Sequence, residues 1–287
     1  MITGFARHFR RLAVVASTVA IVSSTSVALT ATSGAATTHP GTVRVLSAGS
    51  FSNVMVLLGA AFKNDTGDTI QDTSLGSSAI ASAVVSKTLQ GDVFISASPS
   101  ADRSLEGSAH GNWISGYRVI GSSPDVLAYY PKSRFVTALK SLPWYDVIQS
   151  RGFELGRTDP AVDPGGVLDV DALYGIGYGY NIPSLLSIAT NKRNIYTEQA
   201  IPGLLQAGQL DAAFMYAISA DAVKLPYVAL TGTKNLNAQY TIAKLNGAPD
   251  PTAAATFVQW LLSPRGASLM DRQGLVPALA AHLQVPK

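Results

Sequence analysis

No cysteine occurs among the 287 residues, which excludes disulfide bracing, thiolate metal sites and a lipid anchor on an N-terminal cysteine. Histidine is almost as scarce. His8, His39, His110 and His282 lie too far apart in the chain to suggest a zinc site or the general base of a hydrolase. Ser50, in Ala48-Gly49-Ser50-Phe51-Ser52, lacks the second glycine of a nucleophile elbow, so a secreted serine hydrolase is a distant alternative. Charge is also sparse. The formal net charge of +3 is matched by Arg7, Arg10 and Arg11, with no acid before Asp65. The remainder is near neutral and carries no Lys/Arg stripe that would read as a nucleic-acid surface.

The three arginines instead open an export signal over residues 1–35: a basic start, an apolar stretch from Leu12 to about Leu29, then small residues around Ala35 and Ala36 where cleavage is expected. An uncleaved membrane anchor is the alternative, weakened by the many Ser and Thr residues in the stretch. Either way the protein is expected to work outside the cytoplasmic membrane, in the periplasm or on the outer face of the cell.

Two stretches dominate the chain beyond this signal. VRVLSAGS (43–50) and TSLGSS (73–78) each read as a strand entering a Gly- and Ser-bearing turn. A helical segment succeeds each, with apolar residues three and four apart: Val54, Leu57, Leu58, Ala61 and Phe62 in the first, Ile80, Val84, Val85 and Leu89 in the second. Helix starts carry unpaired N–H groups and partial positive charge, so they suit an anion, and a serine adds a neutral donor. The plainer alternative is that Ser50 and Ser78 are N-caps.

Strands at 43–46, 70–73 and 93–96 alternating with these helices give the rhythm of an open parallel sheet, whose ligands gather beyond the carboxyl ends of its strands. The rhythm breaks at 121–124 and resumes with strands at 126–130, 153–156 and 212–216 and a helix at about 198–206. Two similar halves imply an α/β protein of two lobes with a hinge and an inter-lobe cleft. Lobe 1 is expected over 41–123 and again over a return segment at 229–287, lobe 2 over 124–228, with hinge crossings at 121–124 and 226–229.

The loop GRTDPAVDPGG (156–166) concentrates acids and exposed backbone between a strand and a helix, although an Asp-Pro step is commonly just a turn or a cap. Glu198 would be a first-turn acid favoured by the helix dipole, and Tyr216 a core tyrosine at a strand end. The closing block FVQWLLSPRGASLMDRQGLVP (257–277) resembles that of extracellular solute-binding proteins of ABC importers in general, and VRVLSAGSFSNVM, TSLGSSAIASAV, GDVFISASP, GRTDPAVDPGG and YTEQAIPGLLQAGQLDAAFMY, in this order, resemble the molybdate/tungstate-binding proteins of those importers over about residues 43–277. The likeness is nearest to the branch with a DPxxDPxG loop.

That resemblance implies a periplasmic-binding-protein-like fold of type II and no enzymatic activity. It implies no cofactor, a molybdate or tungstate ligand, a membrane permease as partner, and a monomer. It carries Ser50 and Ser78, or the neighbouring Ser77, onto hydroxyls that bond the oxyanion, Gly165 onto a backbone donor and Tyr216 onto a hydroxyl that reaches the ligand. It carries Glu198 and Asp163, with Asp159 as the alternative, onto carboxylates that bond the molybdenum or tungsten centre directly and raise it from four oxygens to six. Sulfate and phosphate, whose central atoms cannot expand in that way, would be discriminated against. The same fold binding sulfate, phosphate or iron(III), the last suggested by Tyr174, Tyr178 and Tyr180, is the nearer alternative.

Overall fold

The computed structural model describes residues 41–234 and 236–278 and the backbone of 283–284. The expected export signal lies outside the described residues, as do residues 235, 279–282 and 285–287 of the expected return segment.

The first half follows the expected rhythm. β1 (Thr42–Ala48) leads through a tight turn at Gly49–Phe51 into α1 (Ser52–Thr66), and β2 (Thr69–Leu75) leads through Gly76 into α2 (Ser77–Val85). β3 (Val93–Ser96) and α3 (Pro99–Arg103) come next. α1 buries Val54, Met55, Leu58 and Phe62; of the stripe expected from spacing, Ala61 is half-buried and Leu57 is exposed. It stops at Gly67, whose φ of 84° lets its N–H cap the Lys63 carbonyl.

β4 (Tyr117–Tyr129) is the longest strand and the largest departure from expectation. Residues 121–124, Gly-Ser-Ser-Pro, read as a break, yet they lie inside this one continuous strand. Beyond it come α4 (Val136–Ser141), α5 (Trp144–Val147), β5 (Leu155–Gly156), α6 (Pro164–Gly179), α7 (Pro183–Thr190), α8 (Ile201–Gln206), β6 (Ala212–Tyr216) and α9 (Ala217–Ala222). β7 (Tyr227–Ala229), β8 (Asn237–Lys244), α10 (Pro251–Leu261), α11 (Pro264–Asp271), β9 (Val276–Pro277) and β10 (Leu283–Gln284) complete the order. Among the described residues four helices begin with a side-chain cap followed by proline, at Ser98-Pro99, Asp163-Pro164, Asp250-Pro251 and Ser263-Pro264, which supplies an acceptor and a preset φ where the first turn needs them.

The strands run in the order β2-β1-β3-β8-β4-β6-β5. β1 pairs in parallel with β2 and β3, while β8 runs antiparallel to both β3 and β4, so the first sheet is mixed rather than parallel. Along β4 the partners change: β8 accompanies Arg118 to Pro124, then β6 and β7 flank Asp125 to Tyr129. Val43, Val45, Leu58, Phe62 and Phe257 fill one side of the first sheet and Leu46, Ile80, Phe94 and Leu245 the other. Leu127, Trp144, Leu173, Ile176 and Phe214 form the main core of the second. Each such side chain contributes about 1.5 to 3 kcal/mol by leaving water.

Candidate functional site

The carboxyl ends of β1, β2 and β6 and the start of α6 converge, and most of the residues singled out from the sequence are found there. Neither Ser50 nor Ser78 is an N-cap. Ser50 lies in the turn before α1, buried, and its hydroxyl accepts a hydrogen bond from the Tyr240 hydroxyl at 2.7 Å. Gly76 occupies the cap position of α2. Ser77 is the first helical residue, buried, with its oxygen accepting from the Ala97 N–H at 3.0 Å, whereas Ser78 is half-buried and lines a cavity of about 240 Å³ with Pro164, Val167, Tyr216 and Gln239.

Asp163 is the N-cap of α6. Its Oδ1 accepts from the Gly165 N–H at 2.7 Å, so the backbone donor expected to face an oxyanion is directed at a carboxylate here. Asp159 caps its own loop by accepting from the Ala161 N–H at 3.0 Å. Glu198 is not a first-turn acid, since α8 begins only at Ile201 and the turn between Thr197 and Ala200 precedes it. That turn carries the Glu198 carboxyl into the protein, 7% exposed, where a Cβ on Gly49 would lie 2.7 Å from its Oε2. Glycine at 49 is therefore a steric requirement of the acid's position.

Glu198 and Asp163 stand within hydrogen-bonding reach of each other. Burial pushes the Glu198 carboxyl well above the ordinary range, and the Asp163 charge raises it further, against the pull of the Ser50 N–H and hydroxyl. Asp163 is also raised by burial, offset by the Gly165 N–H and by its bond with Glu198. Burial thus disfavours having both acids ionised at once. Tyr216, 1% exposed, has a hydroxyl with no hydrogen-bond partner, and burial followed by Tyr240 and these acids raises its pKa well above 10.

Contacts between the two halves of the chain close over this group. Gln199 Nε2 donates to the Ser74 carbonyl at 2.7 Å, the Ala79 N–H donates to the Val162 carbonyl at 3.2 Å, and the Ser219 hydroxyl donates to the Ser50 carbonyl at 3.1 Å.

Behind the pair lies a second layer that sequence reasoning missed. Asp125, at the point where β4 changes partners, and Asp169 on α6 are both buried and interact with each other. Burial raises Asp125 strongly, with Asp169 next in effect, and burial raises Asp169 to about 8 against the pull of the Thr158 N–H and Arg157. Arg157 is also buried, and its guanidinium donates to the carbonyls of Thr158, Ala189 and Asn191. A signal existed for Asp169: it shares the buried stripe of α6 with Ala172, Leu173 and Ile176, where an acid is out of place. Among the described residues no group of three or more acids, histidines or cysteines is arranged to cage a metal ion.

The tyrosines that suggested iron(III) lie elsewhere on α6 and just after it. Tyr174 and Tyr178 pack ring to ring at 5.8 Å, and Tyr180 stacks on Tyr145 at 5.6 Å. A larger cavity, about 670 Å³, lies between β4, β8 and α10 and is lined by none of these acids.

Among known proteins, the chain is 28% identical over 198 residues to a Haloferax volcanii protein whose name assigns it molybdenum binding for an ABC transporter; the match spans 68% of this chain and 62% of that relative's length. It is 22% identical over 229 residues to the molybdate/tungstate-binding protein WtpA of Pyrococcus abyssi, covering 61% of this chain and 67% of the relative. In three dimensions it is similar to the periplasmic molybdate-binding protein of Azotobacter vinelandii, with a TM-score of 0.66 at 17% identity over 82% of this chain and 99% of that one, a likeness of fold. The two-lobed architecture expected of the α/β pattern, and its type II form implied by the resemblance, is the one these binding proteins share. The sequence pattern of the bacterial extracellular solute-binding proteins matches residues 43–276, and the chain belongs to that family.

Proposed function

We propose that this protein captures molybdate or tungstate outside the cytoplasmic membrane and presents it to the membrane permease of an ABC importer. The observation that carries the reading is the facing pair Asp163 and Glu198, held buried beside the unpaired Tyr216 hydroxyl at the closing line of the two halves. Two carboxyls are a poor receptor for a plain dianion. They are a good one for an oxyanion whose central atom accepts two more oxygens, because the carboxylates then bond the molybdenum or tungsten centre and their charge is satisfied by it.

In this reading Ser50 and Ser78 supply neutral donors from the first half and Tyr216 another. Gly165 acts through Asp163: by donating to Oδ1 it fixes the carboxylate and leaves Oδ2 for the ligand. The change of partners along β4 between Pro124 and Asp125 supports an outward crossing at 124. β7 still pairs with Val126 to Ala128, which favours a return crossing after Ala229 rather than at 226–229. Lobe 1 would then hold residues 41–124 and those from 237 onward, and lobe 2 residues 125–236. Binding would proceed by hinge closure. An enzymatic role finds no support at Ser50, whose hydroxyl neighbours are Tyr240 and Glu198, and the described residues include one histidine, the exposed His110.

Calorimetric titration of the purified protein with molybdate, tungstate, sulfate and phosphate tests the function. Strong binding of the first two and weak binding of the others is expected. Preference for sulfate or phosphate would refute the role given to the acids.

A further inference from the structure

The loop from β5 to α6 carries a second unpaired hydroxyl. Thr158 is 4% exposed, and its Oγ1 has no hydrogen-bond partner, although its N–H donates to Asp169 Oδ2 at 3.1 Å and its carbonyl accepts from Arg157. The residue is therefore fixed by its backbone while its hydroxyl is left without a role in the fold. Where that hydroxyl lies is defined by Gly165. A Cβ placed on Gly165 would sit 3.1 Å from Asp163 Oδ1, 3.3 Å from Thr158 Oγ1 and 3.4 Å from the Tyr216 hydroxyl. Three oxygens, two from this loop and one from the end of β6, thus surround one point, and two of them are buried hydroxyls with nothing to bond.

A buried hydroxyl without a partner is destabilising, and two of them beside one point in a ligand cleft indicate a bound group that serves both. We propose that Thr158 is a ligand-contacting residue of this site, its hydroxyl donating to an oxygen of the bound oxyanion alongside Tyr216, with Gly165 kept free of a side chain so that the two hydroxyls reach the same ligand. The assignment rests on the oxyanion reading of the cleft. Its chemistry fits: a neutral donor adds a hydrogen bond to a deprotonated oxygen without adding charge to a site that already holds two carboxyls.

Thr158→Val removes the donor at nearly constant volume, and Thr158→Ser keeps it. The valine variant is expected to bind molybdate and tungstate about 10- to 100-fold more weakly than the parent, while the serine variant stays within a few-fold. The thermal midpoint of the ligand-free valine variant should equal or exceed the parent's, because a buried unpaired hydroxyl has been removed. A purely structural threonine would give the reverse, a lower midpoint with unchanged affinity, and that result overturns the proposal. A serine variant as weak as the valine one also overturns it, since the methyl and not the hydroxyl would then matter. If the parent binds no oxyanion at all, the functional reading falls and this assignment with it. If the parent binds and the valine variant binds equally well, only Thr158 is excluded.

Discussion

Replacing Asp163 by Asn or Glu198 by Gln separates three physical pictures of the cleft. If both acids were ionised and merely near the ligand, each would repel a dianion about 4 Å away by about 8 kcal/mol at an effective dielectric near 20, so an amide would tighten every dianion by orders of magnitude. The structure argues against that picture, because burial raises Glu198 well above the ordinary carboxylate range and raises Asp163 as well. If the acids serve only as neutral hydrogen-bonding groups, the amides mimic them and affinities change by less than about tenfold. If their oxygens bond the molybdenum or tungsten centre, the amide variants lose more than about 100-fold for molybdate and tungstate, beyond what one hydrogen bond explains, and almost nothing for sulfate. We expect the third result. Titration calorimetry with molybdate, tungstate and sulfate on both single variants gives the comparison, and X-ray absorption on the tungstate complex gives the shell directly. Six oxygens in the parent, falling towards four in the double variant, is the expected outcome. A four-oxygen shell in the parent would refute direct ligation and leave Asp163 as a cap and Glu198 as a turn residue.

Ser50→Ala and Ser78→Ala should each weaken oxyanion binding by about 1 to 3 kcal/mol, and only the first should also lower the thermal midpoint, since Tyr240 then loses its acceptor. Gln199→Ala removes the bond to the Ser74 carbonyl that joins the two halves, so stopped-flow release should be faster, with little change in the association rate; unchanged release would mean that this contact does not hold the cleft shut. Small-angle scattering should report a smaller radius with saturating molybdate, and an unchanged radius would count against a closing cleft. Asp102 is held by burial at a pKa of about 7 against 3.8 unfolded, with Oδ2 accepting from the Thr241 hydroxyl. The folded state thus keeps a proton that the unfolded chain releases, so this group's contribution is complete below about pH 4 and is lost as pH rises through 7. Denaturation midpoints of Asp102→Asn should vary less with pH over that window than the parent's, and an equal slope would assign the dependence to other groups.

The parts of the fold that were legible share one property: their pattern is local. The stripe Val54, Leu58, Phe62 announces α1, and β1, β2 and β3 stand out between polar turns. β4 was obscured because Gly121, Ser122, Ser123 and Pro124 have the composition of a loop. Partners distant in sequence supply what composition could not: β8 pairs with all four of these residues, β9 pairs with Gly121 and Ser122, and proline, which has no N–H to give, stands where the ladder changes hands. Among the site residues, resemblance rather than periodicity drew Ser50, Asp163, Glu198 and Tyr216 together. Asp125 and Tyr240 escaped because a buried polar residue in a strand looks, in one dimension, like an exposed one, and Thr158 because it sits in a polar loop where a threonine draws no notice.

The continuity of β4 bears on how the protein comes apart. Its thirteen residues give hydrogen bonds to β8 at one end and to β6 and β7 at the other, so neither sheet can lose its register there without fraying the strand on which the other depends. Unfolding should therefore be one cooperative event across both halves, with amide protons of Val119 and Leu127 exchanging at closely similar rates despite lying in different sheets. For the same reason residues 130–236 expressed alone would lack the strand that β6 and β7 flank, and the two cores of this chain are not separable modules.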